Sequence, residues 1–236
     1  MKKTKSIALK NIYVLLFRKF GPQGWWPLNN KHYQGRPKKE KHRFEICIGA
    51  ILTQNTSWKN VEKSISNLIK HNLLEPKKIA GINQKKLAEL IRSSGYYNQK
   101  AKSLKVFSQY VMDNYNGSLS RMFDKDVFSL RKEILLIKGI GPETADSIIL
   151  YSAEKPIFVI DAYTKRIFSR IGICDENIKY TDLQEIFMAA FKSSKNKTEL
   201  FKEYHALIVE LGKNNCRKNQ VCIKCPLAKV CSLKAE

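Results

Sequence analysis

Leu135 to Ile171 read LLIKGIGPETADSIILYSAEKPIFVIDAYTKRIFSRI. An apolar, helix-like run ends at Lys138. Gly139-Ile140-Gly141 then makes a tight hairpin, and Pro142 opens a new helix, where a missing N–H costs nothing. Two glycines around one apolar residue let the chain turn sharply and leave backbone N–H groups uncovered. Those groups sit at a helix start, where the dipole also favours an anion, so the hairpin reads as a phosphate-binding device. Helix-turn-helix connections also carry glycine for structural reasons alone. Asp161 lies twenty residues beyond Gly141, at the end of the apolar run Ile157 to Ile160. Tyr163, Ile167 and Ile171 repeat at helical spacing after it, so Asp161 is a natural N-cap. A cap fixes a carboxylate in one place and leaves one oxygen available for chemistry.

The whole chain frames that stretch. Its 236 residues are enough to bury a proper core, as one domain or two small ones, and 43% of them are apolar. Lysine and arginine outnumber aspartate and glutamate by 43 to 21, a formal charge of +22 spread from Lys2 to Lys234. A folded, evenly basic protein suits a polyanionic partner. No segment reaches the roughly 18 consecutive apolar residues of a membrane span. The start, MKKTKSIALKNIYVLLFRKFG, imitates a signal peptide, but Lys10 and Asn11 interrupt its apolar region and no small-residue cleavage site follows. Leu9, Ile12, Tyr13, Leu16 and Phe20 instead mark an amphipathic helix docking on a core. The expectation is a cytoplasmic, nucleoid-associated protein with no membrane partner.

Gly21 to Pro27 is a loop by its glycines and prolines, and it holds adjacent Trp25 and Trp26. These rings either plug a hydrophobic gap or form a stacking wall for a nucleobase. Asn29 to His42 reads as a solvated loop or a strand contacting a nucleic-acid backbone. Phe44, Ile48, Ile51 and Leu52 give a helix with a buried face, and Asn55-Thr56-Ser57 break it and cap the next. Helices are expected over Pro76 to Ile91 and Asn98 to Tyr115, a loop over Gly117 to Lys125, and a helix over Asp126 to Lys138. That makes roughly six helices before Ala153 with no strand-like alternation, so the class is all-α.

Cys216, Cys222, Cys225 and Cys231 give C-x5-C-x2-C-x5-C. Four cysteines so close in a cytoplasmic-looking chain argue for a metal rather than disulfides. Zinc usually takes two closely spaced pairs, and only one is present. Four thiolates in this order suit a [4Fe–4S] cluster. The loop Arg217 to Val221 is basic enough to touch phosphate. Cys47 and Cys174 read as small buried hydrophobes.

The hairpin and the aspartate together resemble the signature of the endonuclease III superfamily, the helix-hairpin-helix DNA glycosylases. Its pattern is L-P-G-V-G-x-K-T-A followed by an aspartate at this offset; Ile137 to Ala145 read IKGIGPETA. Bifunctional members place a nucleophilic lysine just before the T-A pair, where this chain has Glu143. The family's L-S-x-Q-x-[ST] loop is matched at Gln54 and Thr56, while Ile51 and Leu52 replace its leucine and serine. A polar residue of that loop plugs the hole left by a flipped base, so Gln54 or Asn55 is the candidate; Asn55 serves equally as a helix cap. Gly95 to Ala101 resembles the family's G-[FY]-[FY]-x-x-K-A. The family's cluster motif is C-x6-C-x2-C-x5-C, one residue longer in its first gap. The 3-methyladenine glycosylase branch shares an aromatic W-x-P, matched by Trp25 and Pro27, and an I-L-T-Q-N-T loop, matched by Ile51 to Thr56.

The resemblance covers about Phe44 to Cys231. It implies an all-α, two-lobed monomer, with a six-helix domain at 41–152 and a cluster domain formed by 1–40 and 153–236. A cleft between them would hold a nucleotide flipped from double-stranded DNA containing a damaged base. Asp161 would support hydrolysis of the N-glycosidic bond, Gly139 and Gly141 would grip the backbone, and Trp25, Pro27 and Trp58 would line an aromatic pocket suited to an alkylated purine. Glu143 implies a glycosylase without lyase activity, and where it comes close to Asp161 its charge would raise the pKa of one of the two carboxyls. The competing readings are an endonuclease III-type enzyme on oxidised pyrimidines and a DNA-binding module without chemistry.

Overall fold

The computed structural model describes residues 2–28, 39–217, 219 and 222–232. Residues 29–38 of the basic connection and 218, 220 and 221 of the cysteine loop lie outside them. Regular structure among the described residues is helical, with no strand. The helices are α1 (Lys2–Phe20), α2 (Glu40–Leu52), α3 (Trp58–Lys70), α4 (Pro76–Gly81), α5 (Gln84–Leu90) and α6 (Tyr97–Tyr115). Then come α7 (Leu119–Met122), α8 (Val127–Leu135), α9 (Pro142–Ser147), α10 (Ala162–Arg170), α11 (Tyr180–Ala190) and α12 (Lys197–Asn214). No described helix is long and apolar enough to cross a membrane.

The chain forms two compact units, Met1–Trp25 with Pro156–Glu236, and Trp26–Lys155. In the first, α1 buries Leu9, Ile12 and Leu16, as their spacing predicts. The Tyr204 hydroxyl donates to the Leu9 carbonyl at 2.9 Å, so the most buried phenol also anchors the N-terminal helix. Around it Phe158 stacks on Phe187 at 4.0 Å, and Phe168, Phe191 and Phe201 meet these rings edge-on. Each fully buried phenylalanine contributes about 1.5–3 kcal/mol of transfer free energy.

The second unit is built on α2. Every residue from Phe44 to Leu52 is buried, the pattern of a helix surrounded by others. Trp26 begins this unit and packs its indole closely on α2: a Cβ at Gly49 would meet the ring at 2.9 Å. The division therefore falls between Trp25 and Trp26, ahead of the 40/41 boundary read from the sequence, and between Lys155 and Pro156 rather than at 152/153.

Three local expectations differ from the structure. Pro76 to Ile91 is two helices, since the Asn83 side chain accepts from Lys85 N and Lys86 N and starts α5 anew. The loop after Gly117 contains the short α7, capped by Ser118. The helix before the hairpin stops at Leu135 and closes with turns to Ile137. Past α9 the chain continues as a π-helical turn, Ile148–Ser152, wholly buried. Cys47 is buried and its thiol is pushed up to about 12 by burial, whereas Cys174 is only half-buried.

Candidate active site

Asp161 is the cap that its sequence position predicts. Its Oδ1 accepts from Thr164 N and from Thr164 Oγ1, both at 2.7 Å. Only 9% of the residue is exposed. The other oxygen, Oδ2, lies 3.7 Å from Nε2 of His205 on α12. Burial pushes the carboxyl upward, but the His205 imidazole and the two Thr164 donors outweigh it and hold the pKa below the ordinary value. The result is a fixed, desolvated, ionised carboxylate with one oxygen committed to α10 and one turned to an imidazole. Thr164, three residues after the cap, was legible as a cap partner. His205 was not: nothing in the spacing of α12 marks it.

The helix that starts at Asp161 ends at the cysteine segment. Arg166 donates to the Cys216 carbonyl from Nε at 2.9 Å and from Nη2 at 2.8 Å. Arg170 Nη1 donates to the Arg217 carbonyl at 2.6 Å and stands 3.4 Å from Cys216 Sγ, while Cys231 Sγ donates to the Arg170 carbonyl at 3.5 Å. Gly212 lets the Tyr163 ring lie against α12; a Cβ there would clash at 2.2 Å.

Cys216, Cys222, Cys225 and Cys231 are free and half-buried. The Cys225 thiol is pushed up by burial and then by the other three sulfurs, so the four share one neighbourhood. Among the described residues no three of His, Cys, Asp or Glu converge as a bound metal ion requires. The donor set itself fits an iron–sulfur cluster in chemistry. Four thiols within one short stretch supply the ligand set, and the Arg170 guanidinium beside Cys216 would offset thiolate charge.

The hairpin belongs to the second unit. Gly139 has φ +94°, and a Cβ there would meet Ser103 Oγ at 2.3 Å, so glycine is required twice over. Gly141 is different: its φ is −94° and its surroundings are open. Arg131 of α8 grips Asp146, on the far side of the hairpin, with Nε–Oδ1 at 2.7 Å and Nη2–Oδ2 at 3.2 Å. Asp146 is fully buried. This brace spans two helices and leaves no local sequence signal.

Gln54 and Asn55 separate in role. The Gln54 amide donates to the Gly139 carbonyl at 3.2 Å and to Thr144 Oγ1 at 3.0 Å, tying its loop to the hairpin. Asn55 is exposed at φ +52°. Glu143 and Lys138 are both exposed beside the hairpin. Of the aromatic candidates, Pro27 and Trp26 are buried in the second unit. Trp58, half-buried, meets Trp26 edge-on at 5.1 Å and donates Nε1–H to Glu62 at 2.8 Å. Trp25 belongs to the first unit, where the Lys213 ammonium lies 5.7 Å from its ring centre.

A glycine hairpin braced between two helices, with a buried ionised aspartate starting a later helix, defines the helix-hairpin-helix class. Residues 48–193 match the family described as HhH-GPD superfamily base excision DNA repair protein. The chain is 46% identical, over 99% of its length and all of its relative's, to a Methanocaldococcus jannaschii protein provisionally named a DNA repair glycosylase. The crystal structure of Helicobacter pylori 3-methyladenine DNA glycosylase bound to 1,N6-ethenoadenine superposes with a TM-score of 0.72 at 31% identity, covering 89% of this chain and 97% of that one. An endonuclease III–DNA covalent intermediate gives 0.77 at 19% identity, covering 96% and 95%, a likeness of fold. The chain belongs to the HhH-GPD superfamily of base excision DNA repair glycosylases, the endonuclease III superfamily.

Proposed function

We propose that the protein is a monofunctional glycosylase that hydrolyses the N-glycosidic bond of alkylated bases in double-stranded DNA, acting as a cytoplasmic monomer. The observation that carries this reading is the Asp161 carboxylate, buried yet held ionised by His205 and Thr164. Breaking the bond develops positive charge on the sugar. A preorganised, buried carboxylate stabilises that charge and can orient or deprotonate the attacking water. The Gly139 hairpin would hold a backbone phosphate, and the lysine excess would supply salt-sensitive affinity. Asn55 or Gln54 would occupy the gap left by the displaced base.

Preference for alkylated bases rests on the likeness to the Helicobacter pylori enzyme and on Trp25, Pro27 and Trp58. An alkylated purine is cationic, stacks well on aromatic faces and leaves with little acid assistance. The four tail cysteines would hold a [4Fe–4S] cluster, supplying structural order to the loop they enclose. Arg166 and Arg170 would fasten that loop to the helix starting at Asp161. The test is release of base from a panel of single-lesion duplexes, with abasic sites developed separately by alkali. Release from methylated purines with intact strands supports the proposal. Release confined to oxidised pyrimidines, with strand cleavage, would favour the endonuclease III-type alternative, and binding without release would leave a DNA-binding module.

A further inference from the structure

Lysine is among the residues least often fully buried, yet Lys100 on α6 is only 3% exposed. Its Nζ donates to the Leu52 carbonyl at 2.9 Å and to the Ser94 carbonyl at 2.6 Å. Leu52 ends α2, where carbonyls lose their helical partners and a cation complements the dipole. Ser94 closes the short turn Arg92–Ser94. Burial pulls the amine down to about 8.

Both acceptors lead directly into exposed loops. Past Leu52 come Gln54, tied to the hairpin, and Asn55, exposed at φ +52°. Past Ser94 come Gly95 at φ +67° and Tyr96 at φ +45°, the latter 69% exposed. A non-glycine residue in the left-handed region persists only where its surroundings hold it there, and such residues gather at functional sites. One ammonium therefore fastens the roots of two loops, each presenting a strained, exposed side chain.

We infer that Lys100 is a positioning residue for DNA: it holds the Gln54–Asn55 loop and the Gly95–Tyr96 turn in the arrangement that disturbs the base stack. This rests on the glycosylase reading above. Phosphate contacts come from the hairpin and surface lysines, so losing Lys100 should spare affinity and lower the rate of the displaced-base step.

Wild type, Lys100→Met and Lys100→Gln are compared on methylated duplex DNA. A second duplex, with one tetrahydrofuran abasic-site analogue beside 2-aminopurine, reports stack disturbance by fluorescence. Lys100→Met should keep a cooperative melt and a KM within about two-fold, while kcat falls about 10²-fold, the scale of a one-ångström misplacement. The 2-aminopurine signal should vanish. Lys100→Gln, which keeps an N–H donor, should recover part of both. An unchanged kcat, a change in KM alone, or loss of cooperative melting in both variants would overturn the proposal. A wild-type protein that releases no base would refute the glycosylase reading instead, and the fluorescence arm would still test Lys100.

Discussion

Asp161→Asn separates the two roles of one side chain. In the native protein Oδ1 takes both Thr164 donors at 2.7 Å, and the asparagine carbonyl can take the same two. Asparagine caps helices about as well as aspartate, so α10 should start as before. What disappears is the charge. A positioned general base contributes about 10²–10⁴-fold. Removing one preorganised charge-stabilising group costs about 10²–10³-fold. Base release by Asp161→Asn should therefore fall by about 10³-fold, while affinity for duplex DNA holds or rises, because a negative charge near phosphate has gone. Asp161→Ala should lose the same activity and also the cap, about 1 kcal/mol, or a drop of about 2–4 °C in Tm for a chain of this size. The pH dependence follows from the same geometry. The folded pKa lies below the ordinary value, so the acid limb of base release should fall below pH of about 3.9. The linked stability is present above that unfolded value and is lost as pH drops through the folded one. Single-turnover release, duplex binding and thermal melts measure all of this. An Asp161→Asn protein retaining more than about a tenth of the wild-type rate would reduce Asp161 to a helix cap, since general-base loss alone exceeds that.

Anaerobically purified protein should be brown, with near-equal iron and sulfide; a colourless protein with stoichiometric zinc would refute the cluster. Trp58→Ala should lower release of alkylated purines with little change in melting, since the ring is only half-buried; an early melt or loss of the cluster would show it to be core. Borohydride added during turnover should trap no covalent protein–DNA adduct, because Glu143 cannot form an imine where the family's lysine would. A strong adduct lost on mutating Lys138 would move the protein to the bifunctional branch.

The sequence carried the elements whose signals are local. Gly139 and Pro142 announce the turn and the helix start, Asp161 announces a cap, and the apolar spacing of α1 names the residues it buries. Where the structure departs, the cause is a long-range contact or a single capping side chain. Asn83 restarts a helix in a run that otherwise reads as continuous. Trp26 joins the second unit, where Gly49, lacking a Cβ, leaves room for its indole. The Arg131–Asp146 brace and the His205–Asp161 pair join residues far apart in the chain, with no periodicity to announce them. Lys100 stood within a recognised motif, but its burial and its two carbonyl partners belong to packing. The two hairpin glycines looked equivalent in sequence; only Gly139 is required by backbone and space.

Glu143 bears on more than lyase chemistry. It lies in the first turn of α9, where the helix dipole favours a carboxylate. The same N–H groups that favour Glu143 in the free protein are those a DNA phosphate would use. A carboxylate there would assist folding of the hairpin and oppose phosphate binding at it, so the hairpin would be a weaker anchor than one with a lysine in that place. The chain's charge of +22 is spread along its length, and affinity drawn from many lysines replaces what one strong contact would give. Such an interface would hold DNA loosely at any single phosphate. It would suit the proposed hydrolysis, which needs no covalent hold on the sugar after the base has left.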